Sequence, residues 1–321
     1  MLPITRRTLI AAACLLNLSV MAQDTKPWPQ AKPITWLVGF PPGGSTDVLT
    51  RAVARRLGEK LGQAVVVENR PGASGAIALQ AAAKATPDGY TLVTVDGPSV
   101  SNVPMPEVGK DLAAVSPFVQ QAMVLIGPGN AGLKSLDQVL NAARKDPKVW
   151  SYGTSGAGSS QHLVGELLNT LAGTNLTHVP YKGGAQAVTD VIGGQVPLAM
   201  LGVTPVLAHA QAGKVRVYAV TTEHRLESLP DVPTMAEAGV KGFVASQWYV
   251  VATSMGTPDV RIATLNNLIT EIIASPELKS VLLASGSVPS KGSAKDALNF
   301  VTQENRSWKE LAQKSKLNLA L

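Results

Sequence analysis

Along residues 34–95 the apolar positions switch repeatedly between two rhythms. "ITWLVGF" (34–40) is a short apolar, β-branched run and predicts a strand. After the loop "PPGGSTD", residues 46–61 place Val48, Leu49, Ala52, Val53, Leu57 and Leu61 along one side, the spacing of an amphipathic helix, and Gly62 suits its C-terminal cap. "AVVVEN" (64–69) predicts a strand, "RPGASG" a turn, "AIALQAAAKA" (76–85) a helix and "YTLVTV" (90–95) a third strand. The pattern is irregular from about 98 to 122, where Pro98, Pro104, Pro106 and Pro117 fall, and predicts a passage between two lobes.

A second series begins with the strand "MVLIG" (123–127). Helices are predicted over 135–146, 160–171, 184–192 and near 205–212, and strands over 150–155, 177–181, 196–201 and 215–222. Ser135 with Gln138 forms a capping box for the first of these helices. A proline-rich passage (223–239) leads to a strand over 243–253. Helices then run over 257–275, with Thr257 as cap and Pro258 at N1, over 276–284, and from Ser293 to about 314. Alternating strands and helices predict an α/β chain with parallel sheets, in two lobes.

Composition narrows the function. The chain has 321 residues, 45% hydrophobic and 16% charged, enough to bury a sizeable core. Arg6 and Arg7, the apolar run 8–20, and the small residues Val20 and Ala22 predict an export signal over 1–22, cleaved after Ala22. "TRRTLI" (5–10) also fits a twin-arginine signal, so either export route is open. Cleavage removes Cys14, the single cysteine, so no disulfide is expected. Without Arg6 and Arg7 the 28 basic residues become 26 against 22 acids, a net charge of +4. The cations are scattered, without a basic run, which disfavours nucleic acid and suits a small anion.

Two loops carry the candidate chemistry. "FPPGGSTD" (40–47) and "TSGAGSS" (154–160) each join a strand to a helix. In open α/β sheets ligands bind at the carboxyl ends of strands, where glycines admit close backbone approach and a helix N-terminus offers N–H groups to an anion. Ser45, Thr46, Ser159 and Ser160 add hydroxyls, and Ser159→Ala is expected to weaken binding by about 1 kcal/mol. The same loops read equally well as helix caps and turns. "VPYKGGAQ" (179–186) repeats the arrangement a third time.

Sharper motifs fail. Neither loop is a P-loop, "GAGSSQ" lacks the last glycine of the dinucleotide fingerprint, and "GTSGA" lacks the last glycine of a nucleophile elbow. A Ser155–His162–Asp190 triad can be written only on paper, and His162 with Glu166 lacks a third metal ligand. No catalytic residue, metal or cofactor is assigned.

The string from Phe40 to Gly75, then "PDGYTLV" (87–93), "YGTSGAGSSQHLVGELL" (152–168), "HVPYKGGAQAVTDVIGGQV" (178–196), "AGKVRVYAV" (212–220) and "LPDVPTMAEAG" (229–239) resemble the ordered blocks of the Bug family, solute-binding receptors of tripartite tricarboxylate transporters. The likeness covers about residues 34–310. It implies a two-lobed periplasmic binding protein of the Venus-flytrap type II class, with lobe 1 formed by 23–122 and 222–321 and lobe 2 by 123–221. It also implies a small carboxylate ligand, transient docking on transporter membrane subunits, a monomeric state and periplasmic location. Carried over, the ligand site comprises Phe40, Gly43, Gly44, Ser45 and Asp47, then Ser155, Gly158, Ser159 and His162, with Tyr181 and Gly183.

The chain departs from that pattern at "PGASGAIA" (71–78) and at 103–115, which puts the rim of the cleft in doubt. Asp96 to Ser99 would face the cleft, where Asp96 disfavours a second carboxylate or favours an amine. Trp248 is either a cleft wall or a core residue. A sensing subunit for a membrane kinase and an exported serine hydrolase are the competing functions.

Overall fold

The computed structural model describes residues 26–100 and 103–314, so the expected export signal, Cys14 included, lies outside the described residues. Among the described residues the strands form two sheets. The first takes β1 (Ile34–Val38), β2 (Val65–Asn69), β3 (Thr91–Gly97), β4 (Leu112–Gln121), β10 (Gln247–Ser254) and β11 (Ser287–Pro289) in the order β11-β4-β10-β3-β1-β2. The second takes β5 (Met123–Pro128), β6 (Ser151–Thr154), β7 (Thr177–Pro180), β8 (Leu198–Gly202) and β9 (Val215–Val220) in the order β7-β6-β8-β5-β9.

The two orders share one plan. In each sheet three strands that follow one another in the chain run parallel (β1 to β3, and β6 to β8), and one antiparallel strand separates the last of them from the next strand in the sheet. That inserted strand is β10 in the first sheet and β5 in the second. The sheets are therefore mixed, where the sequence predicts parallel ones. Each chain crossing between lobes delivers its strand from the far side, which reverses the strand's direction.

Helices cover both faces of each sheet, so the central strands β1, β3, β5, β8 and β10 are buried on both sides and read as continuous apolar runs. They are α1 (Ser45–Leu61), α2 (Ala76–Ala83), α3 (Leu136–Lys145), α4 (Ser160–Ala172), α5 (Gly184–Ile192), α6 (Leu207–Gln211), α7 (Asp259–Ile273), α8 (Pro276–Ala284) and α9 (Ala294–Lys314). Alternation along the strands sorts the first lobe's core. Trp36 and Tyr249 join Leu49, Val53 and Leu57 of α1 on one face, while Leu37 and Trp248 join Leu79 and Val301 on the other. Gly62, at φ 60°, ends α1 by donating its N–H to Gly58 O.

Three local expectations change. The irregular stretch before residue 122 contains β4, ten residues paired with both β10 and β11. Its Pro117 sits opposite Val250 beside a register shift, where a strand tolerates a missing N–H. Pro258 flanks α7 as its N-cap residue, and the Thr257 hydroxyl donates to Ser254 O instead of capping the helix. Residues 222–246, placed in lobe 1 by the sequence, pack on lobe 2. Val220 exchanges backbone hydrogen bonds with Pro233 and Met235, and Met235, Val240 and Phe243 enter the second core. The chain thus passes between lobes at 121–123 and 245–247, and the Gln247 side chain donates to Gln121 Oε1 at 2.5 Å where the crossings meet.

Candidate functional site

The lobes meet at the carboxyl ends of their strands. Four loops face one another there, in two diagonal pairs. On one diagonal the 40–46 loop of the first lobe opposes 182–186 of the second, and a cavity of about 230 Å³ lies between them. That is just below the roughly 300–1,000 Å³ of sites for drug-sized ligands and suits a small acid.

Both sides of this diagonal end in a helix start without a side-chain cap. Gly44 precedes α1 and Gly183 precedes α5, and neither residue has a side chain to accept the first-turn N–H groups. Two helix N-termini, one from each lobe, thus present unsatisfied donors and partial positive charge to one space. The Ser45 hydroxyl at the start of α1 is buried, with no hydrogen-bond partner. Gly183 sits close against the opposite lobe, where an added Cβ would stand 3.1 Å from Cδ of Pro41, a tight contact.

The 40–47 loop is braced from behind. Asp47 accepts the Gly43 N–H at 3.0 Å, the Arg51 guanidinium at 2.8 Å and the Asn69 amide at 2.8 Å. Asn69 also donates to Phe40 O at 2.9 Å. Gly43 adopts φ 85°, a left-handed conformation that favours glycine. Asp47 and Gly43 therefore shape the loop, while Phe40, Gly44 and Ser45 line the cavity.

The other diagonal is bridged by contacts, beside a channel of about 470 Å³ that residues 71–74 and 155–157 also line. The 72–75 turn of the first lobe meets 155–158 of the second. Ser74 Oγ donates to Ala157 O, and the Val100 N–H donates to Gly158 O at 2.8 Å. The 154–160 loop spends its own polar groups on itself. Ser159 caps α4 by accepting the His162 N–H and donates to Gly156 O at 2.8 Å. Gln161 Oε1 takes the Ser155 N–H at 2.9 Å, and His162 Nδ1 takes the Gly158 N–H at 3.0 Å.

That last bond fixes His162 with its proton on Nε2. Its ring stacks on His178 at 3.8 Å, and burial lowers its pKa. Burial, then the neighbouring His162, lowers His178 to about 3. Of the expected residues in this loop, Ser155 lines the cavity, while Gly158, Ser159 and His162 do not. Gly183 lines it. Tyr181 lies beside it, in an adjoining channel with Phe40, Ser155 and Lys182. The Tyr181 hydroxyl donates to Asp190 at 2.8 Å, and burial followed by that bond raises its pKa to about 12.

These partners dissolve the paper triad. Asp190 serves Tyr181, and His162 Nδ1 serves Gly158. Glu166 accepts the Tyr152 hydroxyl at 2.6 Å, so it is engaged elsewhere than a metal site with His162. Among the described residues no group of three potential ligands could hold a metal ion.

The inner wall comes from residues the motif search did not select. Gln161 Nε2 donates to Gln247 Oε1 at 3.4 Å. Gln247 Nε2 donates to Gln121 and to the Tyr249 hydroxyl, which itself donates to Gln121 Oε1 at 3.1 Å. Gln121 Nε2 donates onward to Thr204 Oγ1 at 3.1 Å and to Ser285 O at 2.8 Å. Burial, then the nearby Asp96 carboxyl, holds the Tyr249 pKa well above its ordinary value, so the phenol stays neutral. Asp96, at the end of β3, completes the wall, and Lys182 stands exposed at the rim. Trp248 points the other way, against Phe300, because neighbours on a strand face opposite sides.

Comparison with known proteins gives the family and the fold. The profile of the "Tripartite tricarboxylate transporter family receptor" matches residues 49–317. BugT of Bordetella pertussis is 36% identical over 299 residues, spanning 90% of each chain. The R. palustris protein Rpa4515, solved with adipate, superposes with a TM-score of 0.86 at 32% identity, covering 91% of this chain and 99% of that one. MatC of Rhodopseudomonas palustris, solved with bound malate, gives 0.80 at 25% identity, covering 87% and 98%.

Proposed function

The chain belongs to the tripartite tricarboxylate transporter receptor family, and from that premise we propose that it is a periplasmic receptor for a small organic acid. The carboxylate of that acid sits between the N-termini of α1 and α5 and accepts hydrogen bonds from their first-turn N–H groups and from Ser45. One observation carries this reading: two uncapped helix starts from opposite lobes face a single small cavity that also holds a buried, unpartnered hydroxyl. Adipate in Rpa4515 and malate in MatC support the ligand class.

Binding drives closure by population shift. Each lobe supplies half of the donors, so the acid binds the closed form better and stabilises it. The hinge lies at 121–123 and 245–247, and the closed form is what docks on the membrane subunits of the transporter. Monomeric receptor is sufficient for this cycle, and no cofactor enters it.

Thermal shifts test the reading. The chain from Gln23 onward is screened against mono-, di- and tricarboxylates, amino acids and aromatic acids, once as purified and once after unfolding and refolding to strip carried ligand. An acid at a hundred times its Kd adds about 2.7 kcal/mol, a rise of a few degrees. A shift with one class supports the receptor. A flat panel on refolded protein would overturn it.

A further inference from the structure

An anion receptor with a carboxylate in its inner wall poses a chemical problem, and Asp96 is that carboxylate. Its Oδ2 accepts the Thr46 hydroxyl at 2.9 Å, and its Oδ1 accepts the Ser160 hydroxyl at 3.2 Å. Thr46 lies in the first turn of α1 and Ser160 in the first turn of α4, so each oxygen is held by a different lobe. Among the described residues no ion pair involves Asp96. A carboxylate oxygen accepts more than one hydrogen bond, so the pair of hydroxyls leaves acceptor capacity facing the cavity.

A filled cavity makes that capacity costly. Any ligand surface laid against Asp96 strips its remaining water. A methylene there leaves a buried acceptor unpaired, and once Asp96 ionises, above about pH 7, a second carboxylate there is also repelled. A hydroxyl or ammonium group satisfies it. Position decides where on the ligand the donor must be. Thr46, which binds Asp96, directly follows Ser45, whose hydroxyl and first-turn neighbours receive the carboxylate in the function proposed above. The group within reach of Asp96 is therefore the substituent on the carbon next to that carboxylate.

We propose that Asp96 is a specificity-determining residue that accepts a hydrogen bond from a hydroxyl or ammonium group beside the bound carboxylate, so that the receptor selects 2-hydroxy or 2-amino acids over their unsubstituted counterparts. This rests on the carboxylate site proposed above. The bound acid is oriented as well: its donor faces inward, its first carboxylate lies between α1 and α5, and its remainder points toward Lys182 at the rim.

The test is calorimetry at a pH above about 7, where Asp96 is ionised, on succinate, glutarate and adipate, each beside its 2-hydroxy and 2-amino counterpart, with wild-type protein and Asp96→Asn. In the tightest-binding series a substituted acid is expected to exceed its plain counterpart by about tenfold or more, the scale of a hydrogen bond to a charged group. Asp96→Asn, which keeps the shape and removes the charge, is expected to cut that ratio to about threefold or less. Plain acids binding wild-type protein as tightly as their substituted forms would overturn the specificity role and leave the carboxylate site standing. An Asp96→Asn variant that weakens every acid equally would assign Asp96 to holding the lobes together and overturn the proposal too. Binding by none of these acids sinks the carboxylate site itself. The wild-type ratios decide the question even if the variant does not fold.

Discussion

The two glycine loops occupy equivalent places, each after the middle strand of its sheet's three parallel strands, yet they do opposite jobs. The 40–47 loop ends in a glycine cap and is braced from behind by Asp47 and Asn69, so its N–H groups stay available. The 154–160 loop ends in Ser159, and Ser159, Gln161 and His162 consume its donors. One loop is held open for a ligand, and the other is finished as a clasp against the 72–75 turn. A glycine-rich loop before a helix is therefore not an anion site by composition. It becomes one only when its own side chains leave the N–H groups unspent.

The strongest way to break this contrast is steric. Gly183→Val crowds carbon against Pro41 across the cleft, where a Cβ alone would stand at 3.1 Å, and so opposes closure of the open diagonal. Overpacking of this kind costs about 1–3 kcal/mol, read by calorimetry as roughly 5- to 150-fold weaker binding. Undiminished affinity in this variant would place the ligand elsewhere.

Acid pH probes the clasp. His178 and His162 have lowered pKa values, so the unfolded chain takes up their protons first, and stability falls as pH drops below 6.5 toward the folded value, about 3 for His178. Asp96 acts in the opposite sense. Burial raises its pKa from 3.8 to about 7, so the folded chain holds its proton more tightly, and that contribution is lost as pH rises through about 7. Denaturant melts between pH 4 and 7 should show Asp96→Asn losing stability on acidification more steeply than wild type. Parallel profiles would mean that Asp96 does not titrate in this window.

A pair of serine changes sharpens the comparison. Ser159→Ala should lower unliganded stability by about 1 kcal/mol through loss of the cap, with affinity kept within about twofold. This reverses the sequence expectation of a binding defect. Ser45→Ala should do the converse, costing about 0.5–1.5 kcal/mol of affinity with little change in melting, because the buried hydroxyl has no partner to lose. Equal behaviour of the two variants would erase the distinction between the loops. The smallest effect is expected from exposed Lys182→Met, a few-fold loss of affinity for dicarboxylates that fades in high salt.

Much of this was legible in the chain. Short apolar, β-branched runs mark the strands of 34–95 and most of 123–222, and the 3.6-residue period marks their helices. The prolines at 104, 106 and 117 hide β4, because a strand that takes Pro117 at a bulge leaves no alternation signal. The placement of 222–246 depends on Met235, Val240 and Phe243 finding the second core, a packing choice that local pattern does not encode. At the site, the decisive signal was present but subtle. "GGST" puts glycine at the cap and "GSSQ" puts serine there, and the cap residue separates the open loop from the closed one. "KGGA" (182–185) carries the same open mark. Gln161, Gln247 and Tyr249 carry no motif at all, since the network that selects them forms only when the two chain crossings meet.

The most direct measurement is a crystal structure of the receptor with the tightest acid from the binding panel. The account predicts carboxylate oxygens within about 3.2 Å of first-turn N–H groups of both α1 and α5 and of Ser45 Oγ. A carboxylate seated instead on the 156–160 loop at the start of α4 would contradict it.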